Sequence, residues 1–72
     1  MIFDAEQDHL DGYHAHVVPG MRARKIYQCP GCGNPIPVGA GHVVAWPDDQ
    51  VEERRHWHTH CWRAACRRGR IA

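Results

Sequence analysis

The stretch RRHWHTHCW, residues 54–62, packs three histidines, one cysteine and two tryptophans into nine positions, a density that core packing does not require. Upstream, YQCPGCGNPIPVG, residues 27–39, carries Cys29 and Cys32 with two residues between them. A structural zinc site takes four Cys or His ligands in a tetrahedron, usually supplied as close pairs. Cys29 and Cys32 are one such pair. His58 and Cys61 are the other, because three residues along a starting helix return a side chain to within about 60° of its predecessor. The two stretches are therefore predicted to meet around one zinc ion held by Cys29, Cys32, His58 and Cys61.

Other assignments stay open at this level. Cys66 lies five residues after Cys61, about 140° around a helix, so a four-cysteine site needs a late helix start. Cys66 is instead expected near Trp62, as a small buried hydrophobe or an exposed thiol. His60 would replace His58 only by chelating beside its neighbour Cys61, and His56, alternating with His58 on a strand, is a candidate for an outer hydrogen bond to the metal site. His9, His14, His16 and His42 have no cysteine or carboxylate at chelating spacing and read as polar surface residues, although His14 and His16 would share a strand face. Trp57 and Trp62 are expected in the core. Trp46, followed by Pro47, is expected exposed at a hairpin tip.

The chain has 72 residues, near the size at which one apolar core no longer sustains a fold unaided. Hydrophobic residues make up 43%, but this includes many alanines and four cysteines, with a single Phe. A staple is needed, and metal fits best. No 18-residue apolar run exists to span a membrane, and MIFDAEQDHLDG lacks the basic and apolar regions of a signal peptide, so a cytoplasmic location and a monomer are expected. In a reducing compartment a C-x-x-C pair is a metal or redox site; a thioredoxin-like reading would need a longer βαβ chain.

Formal net charge is +1, so bulk charge selects no partner class. Its distribution is uneven: residues 1–12 carry Asp4, Glu6, Asp8 and Asp11 without a Lys or Arg, whereas Arg63, Arg67, Arg68 and Arg70 cluster without an acid. Residues 1–12 read as an acidic flexible arm and 13–70 as one domain. YHAHVV, Pro19-Gly20 and RKIYQ parse as an N-terminal β-hairpin. CPGCGNP parses as a zinc knuckle in which Gly31 and Gly33 take positive φ. HVVAW (42–46) and RRHWH (54–58) should pair antiparallel across PDDQVEE, and Thr59 should cap a helix that stops at Gly69. The predicted class is a small zinc-stabilised α+β domain in the order knuckle, β-hairpin, helix.

With Cys29 and Cys32 as the knuckle and Trp57, His58, Cys61 and Trp62 ending the site, the pattern resembles treble-clef zinc fingers. It is similar to the first zinc unit of LIM domains and to poly(ADP-ribose) polymerase-type fingers, although no second zinc unit follows Cys66. Over residues 13–68 the motifs YxCPGC, HVVAWP and RRHWHxxCW also resemble small uncharacterised bacterial proteins usually labelled "ATP/GTP-binding protein". That label implies a phosphate-binding loop, G-x-x-x-x-G-K-[ST]. Here Gly39 and Gly41 are followed by His42 and Val43, so no nucleoside triphosphate is expected and nucleotide hydrolysis is rejected.

Three functional classes fit parts of this pattern. A protein adapter would use the aromatic and histidine-bearing strands. A nucleic-acid-binding module would use Arg63, Arg67 and Arg70, an i, i+4, i+7 stripe, against phosphates, with Arg54, Arg55 and Arg68 nearby. An HNH-like nuclease shares the ββα shape but needs hard ligands and an open metal position, and the only asparagine is Asn34 in the knuckle. The reading is a non-catalytic structural-zinc binding module, with nucleic acid the leading partner, the protein adapter the alternative and the nuclease remote.

Overall fold

The computed structural model describes residues 9–71. Five strands and one helix follow in the order β1 (Tyr13–Val18), β2 (Tyr27–Gln28), β3 (Pro35–Ile36), β4 (His42–Pro47), β5 (Arg55–Trp57) and α1 (Thr59–Arg68), with 3-10 turns at Gly20–Arg22 and Val51–Glu53. All pairing is antiparallel. The result is a small α+β fold with one C-terminal helix.

β4 is the central strand of a three-stranded sheet ordered β1-β4-β5. Its pairing with β5 matches Val43 to Trp57, Val44 to His56 and Ala45 to Arg55, the hairpin expected across residues 47–53. Its other edge pairs all six residues of β1, from Tyr13 with Pro47 to Val18 with His42. The expected N-terminal β-hairpin is therefore not formed. After Val18 the chain turns away through Gly20–Arg22, Ile26 is left 68% exposed, and only Tyr27 and Gln28 of RKIYQ are strand, paired with β3. A six-residue ladder on the central strand satisfies more backbone groups and buries more of the Tyr13/Ala15 face than two residues of β2 can offer.

Period-2 alternation divides the sheet. Val43, Ala45 and Trp57 face α1, whose Cys61, Trp62 and Ala65 are buried. Trp62 meets Trp57 edge-on at 5.5 Å between ring centroids and Tyr13 at 6.2 Å, so both tryptophans expected inside form the centre of the core. Leu10 is buried with them and its carbonyl accepts from the Tyr13 N–H; the packed core thus reaches into the stretch read as an arm, whose residues 1–8 lie outside the described residues.

The helix ends in a Schellman arrangement: the Gly69 N–H reaches Ala65 O and Cys66 O, the Arg70 N–H reaches Ala65 O, and Gly69 has φ 73°. Gly69 is the stop the sequence predicts. At the other end Thr59 is the first helical residue rather than the cap; His58 occupies the N-cap position without a side-chain capping bond. Its ring and N–H are engaged elsewhere, as described next.

Candidate metal centre

β2 and β3 form a short hairpin closed by the knuckle. The Gly33 N–H donates to Cys29 O at 2.8 Å, the Cys29 N–H to Asn34 O at 3.1 Å, and the Gln28 side-chain amide to Gly33 O. The two glycines expected to share one role have different ones. Gly33 alone takes positive φ, at 75°, the left-handed turn that returns the chain to β3. Gly31 is instead needed for close approach: a Cβ there would sit 2.9 Å from Cys61 Cβ and 3.1 Å from the Trp57 ring. The knuckle can rest on the start of α1 only because that side chain is missing.

This packing brings one donor atom each from Cys29, Cys32, His58 and Cys61 within 4.8 Å of one another. Among the described residues it is the one group of His, Cys, Asp and Glu side chains gathered closely enough to hold an ion. His58 Nδ1 lies 3.3 Å from Cys32 Sγ and 3.9 Å from Cys61 Sγ. A tetrahedron with metal–sulfur and metal–nitrogen bonds of about 2.3 and 2.0–2.1 Å has S···N edges of about 3.6 Å, so the donors are already spaced to hold one metal ion. Cys29 is fully buried and Cys32 exposed, placing the cluster at the surface with its back in the core.

The thiols are electrostatically unequal. Burial works against ionisation of Cys29, yet N–H groups of His58, Cys32 and Gly31 and the His58 side chain together hold its pKa at about 7, below the ordinary 9.0. The His58 N–H lies 3.4 Å from that sulfur. Cys61 moves the other way, to about 12, through burial and then the neighbouring sulfurs of Cys32 and Cys29. Three thiolates so close repel one another. A cation is what lets all three ionise together.

The remaining candidates separate cleanly. Cys66 packs half-buried against the core, outside the group of four. His60 is exposed, its Nε2 3.6 Å from Cys61 Sγ and its ring stacked beside His58. His14 and His16 are exposed on the sheet face away from α1, where His16 stacks on Trp46 at 5.2 Å and His14 Nε2 lies 3.2 Å from Asp48 Oδ1. Trp46, expected exposed at a tip, is half-buried because β4 runs on to Pro47 under these two histidines.

Two histidines depart from expectation. His42, read as a surface residue, is 1% exposed: it lies on the central strand, covered by Tyr27 and His56. Its Nδ1 is 2.9 Å from Ala40 O, and since a carbonyl only accepts, Nδ1 carries the proton and Nε2 accepts from His56 Nδ1 at 2.7 Å. His56 therefore serves His42 rather than the metal site, and its ring stacks on Tyr27 at 3.5 Å. Burial, His42 and Arg54 lower its pKa, favouring the neutral form of His56. The sequence carried one overlooked signal: β4–β5 pairing sets His56 opposite Val44, diagonal to His42 on the same face.

The arginine stripe is interrupted. Arg63 is half-buried on α1, Arg67 and Arg68 are exposed at its end, and Arg70 lies beyond the Gly69 stop. Helical i, i+7 geometry does not extend to Arg70. No helix among the described residues is long and apolar enough to cross a membrane.

Residues 4–63 match the family model described as "Rv1322 family protein". The chain is 48% identical over 61 residues to the uncharacterized protein Rv1322 of Mycobacterium tuberculosis (strain ATCC 25618 / H37Rv) and, equally, to the uncharacterized protein Mb1356 of Mycobacterium bovis. These alignments cover 79% of this chain and 62% of each relative's length, so the chain spans less than two thirds of the relatives it matches. No solved structure matches it. The chain belongs to the Rv1322 family.

Proposed function

We propose that this member of the Rv1322 family is a treble-clef-like module built on one structural zinc, and that its task is binding rather than catalysis. The observation that carries the reading is the convergence of four donors, three sulfurs and an imidazole, within 4.8 Å. Sulfur-rich tetrahedral sets favour zinc among common cytosolic divalent ions. The order knuckle, hairpin, helix, with His58 and Cys61 at the helix start, supports the treble-clef reading. A four-ligand cage leaves no coordination position for substrate or water.

Zinc would be held by Cys29, Cys32, His58 and Cys61 and would supply the link between knuckle and helix that so small a core lacks. Nucleic acid is the partner favoured by the exposed basic side chains, among them Arg54 and Arg55. Native mass spectrometry of freshly purified protein should show one zinc per chain, and chelation should unfold it; metal-free protein with an intact circular dichroism spectrum refutes the structural role. A pull-down from cell extract with and without nuclease tests the partner. Loss of captured material on nuclease treatment is expected, and nuclease-resistant capture of protein favours the adapter reading.

A further inference from the structure

At the edge of the sheet, β2 and the segment leading into β5 enclose an open groove of about 450 Å³. Lys25 and Arg54 bring two cations to it, and Arg55, which stands on the edge strand and also lines the cavity beside Ala45 and Trp57, brings a third, against one carboxylate, Glu52. All four charged residues are exposed, and among the described residues none of the three cations makes an ion pair. The wall between them is aromatic: Tyr27 and His56 line the groove with their rings stacked at 3.5 Å and 12°. That stack is braced from behind by the buried His42. Gln28 adds a side-chain amide at the rim, already donating to Gly33 O.

Cations without an ion pair among the described residues, set around an aromatic platform, are what single-stranded nucleic acids require of a protein. Phosphates are neutralised by Lys and Arg, and the unstacked base lies against an aromatic face without sequence preference. The volume falls within the range of small-ligand clefts, about 300–1,000 Å³, enough for one nucleotide unit whose base is not held in a duplex stack. We propose that the β2–β5 groove, and not the C-terminal end of α1, binds the phosphate-bearing backbone of a single-stranded nucleic acid, with Lys25, Arg54 and Arg55 on phosphates and Tyr27 and His56 as the stacking surface. The proposal rests on the nucleic-acid reading above and locates its site.

Fluorescence anisotropy with labelled single-stranded DNA and RNA, using full-length zinc-loaded chain, tests it. Binding should fall with salt at a slope of about −2 in log K against log salt, from about 0.7 per phosphate contact on single strands. Lys25→Gln, Arg54→Gln and Arg55→Gln should each weaken binding and reduce that slope by about 0.7. Arg67→Gln, Arg68→Gln and Arg70→Gln should leave it unchanged, with metal content confirming that every variant is folded. Loss of binding confined to the helix-end variants overturns the groove while leaving the nucleic-acid reading intact. No binding to either strand type by zinc-loaded protein overturns both. Equal competition by inorganic phosphate or a mononucleotide, at the same concentration of phosphate groups, overturns the strand assignment, since a polymer contacting three cations must outcompete a single unit.

Discussion

Replacing Gly31 with Ala probes the contact on which the whole metal centre rests. A Cβ at this position would meet Cys61 Cβ at 2.9 Å and two Trp57 ring carbons at 3.1 and 3.2 Å, all well inside ordinary contact distance. Neither neighbour can give way easily, because Cys61 belongs to the donor cluster and Trp57 is 2% exposed. Overpacking of this kind costs about 1–3 kcal/mol. Gly31 does not have a positive φ, so Ala also stiffens the unfolded chain and returns about 0.4–1 kcal/mol. The midpoints give a net loss of about 1.3 kcal/mol, or a fall in melting temperature of roughly 5–10 °C for a domain of this size. Gly33→Ala has open space around it but a left-handed backbone, and should lose about 1–2 kcal/mol by a different route. Urea denaturation of zinc-saturated protein, combined with Trp57→Phe, separates the two. Trimming the indole should rescue part of the Gly31→Ala loss, giving a coupling energy of at least about 0.5 kcal/mol, and should add independently to Gly33→Ala. A Gly31→Ala protein with the parent's midpoint, or with no coupling to Trp57, refutes the close packing of knuckle on helix.

Removing any one donor by Cys29→Ser, Cys32→Ser, His58→Ala or Cys61→Ser should abolish or greatly weaken metal retention, whereas Cys66→Ser should keep it, as read by metal content after dialysis. Zinc affinity should rise with pH. At pH 8 Cys29, with a pKa of about 7, is mostly ionised while Cys61, at about 12, must surrender a proton, so affinity gains about tenfold per pH unit from that proton and more steeply below pH 7, where Cys29 also binds one; a competition titration that is flat between pH 6 and 8 contradicts this. His42→Leu should lower stability by about 1–3 kcal/mol by leaving the His56 Nδ1–H without its acceptor, and a denaturation midpoint equal to the parent's would show that the histidine pair does not contribute.

The donor cluster was legible because metal chelation is local chemistry: two C-x-x-C-like pairs announce themselves whatever the fold between them. The β4–β5 hairpin was legible for the same reason, since its strands adjoin in sequence and both carry aromatic and β-branched residues. What failed was non-local or competitive. The pairing of β1 with β4 joins residues 13–18 to 42–47, and nothing in either strand alone distinguishes that partner from nearby RKIYQ. Thr59 has the chemistry of an N-cap, but His58 must stand one residue earlier with its ring and N–H turned toward the sulfurs of Cys32 and Cys29, and the helix starts where that demand leaves it. His42 reads as polar on any scale; only the sheet register reveals the second histidine that lets it be buried.

Metal and groove share their two supporting strands, which gives the last prediction. β2 contributes Tyr27 and Gln28 to the groove and passes directly into Cys29; β5 contributes Arg55 and His56 and passes directly into His58. The Tyr27–His56 stack, the His42 ring between them and the His58 N–H near Cys29 Sγ join these strands, and the strongest link would be the one a metal makes. Without it the two walls keep only these weaker contacts, and the cations on them are less firmly spaced. Binding at the groove and at the metal site should therefore be coupled, and linkage makes the coupling reciprocal: the factor by which zinc tightens a single strand is the factor by which the strand tightens zinc. Typical couplings correspond to about 5–150-fold. Zinc competition against a chromophoric chelator, with and without saturating single-stranded oligonucleotide, measures one side, and anisotropy on zinc-loaded and metal-free chain measures the other. Because metal-free chain is expected to unfold, the chelator side is the decisive one, and it should show the oligonucleotide raising zinc affinity at least fivefold. An unchanged zinc affinity at oligonucleotide saturation would mean that the strand binds somewhere the metal does not organise, and would move the search for the site away from β2 and β5.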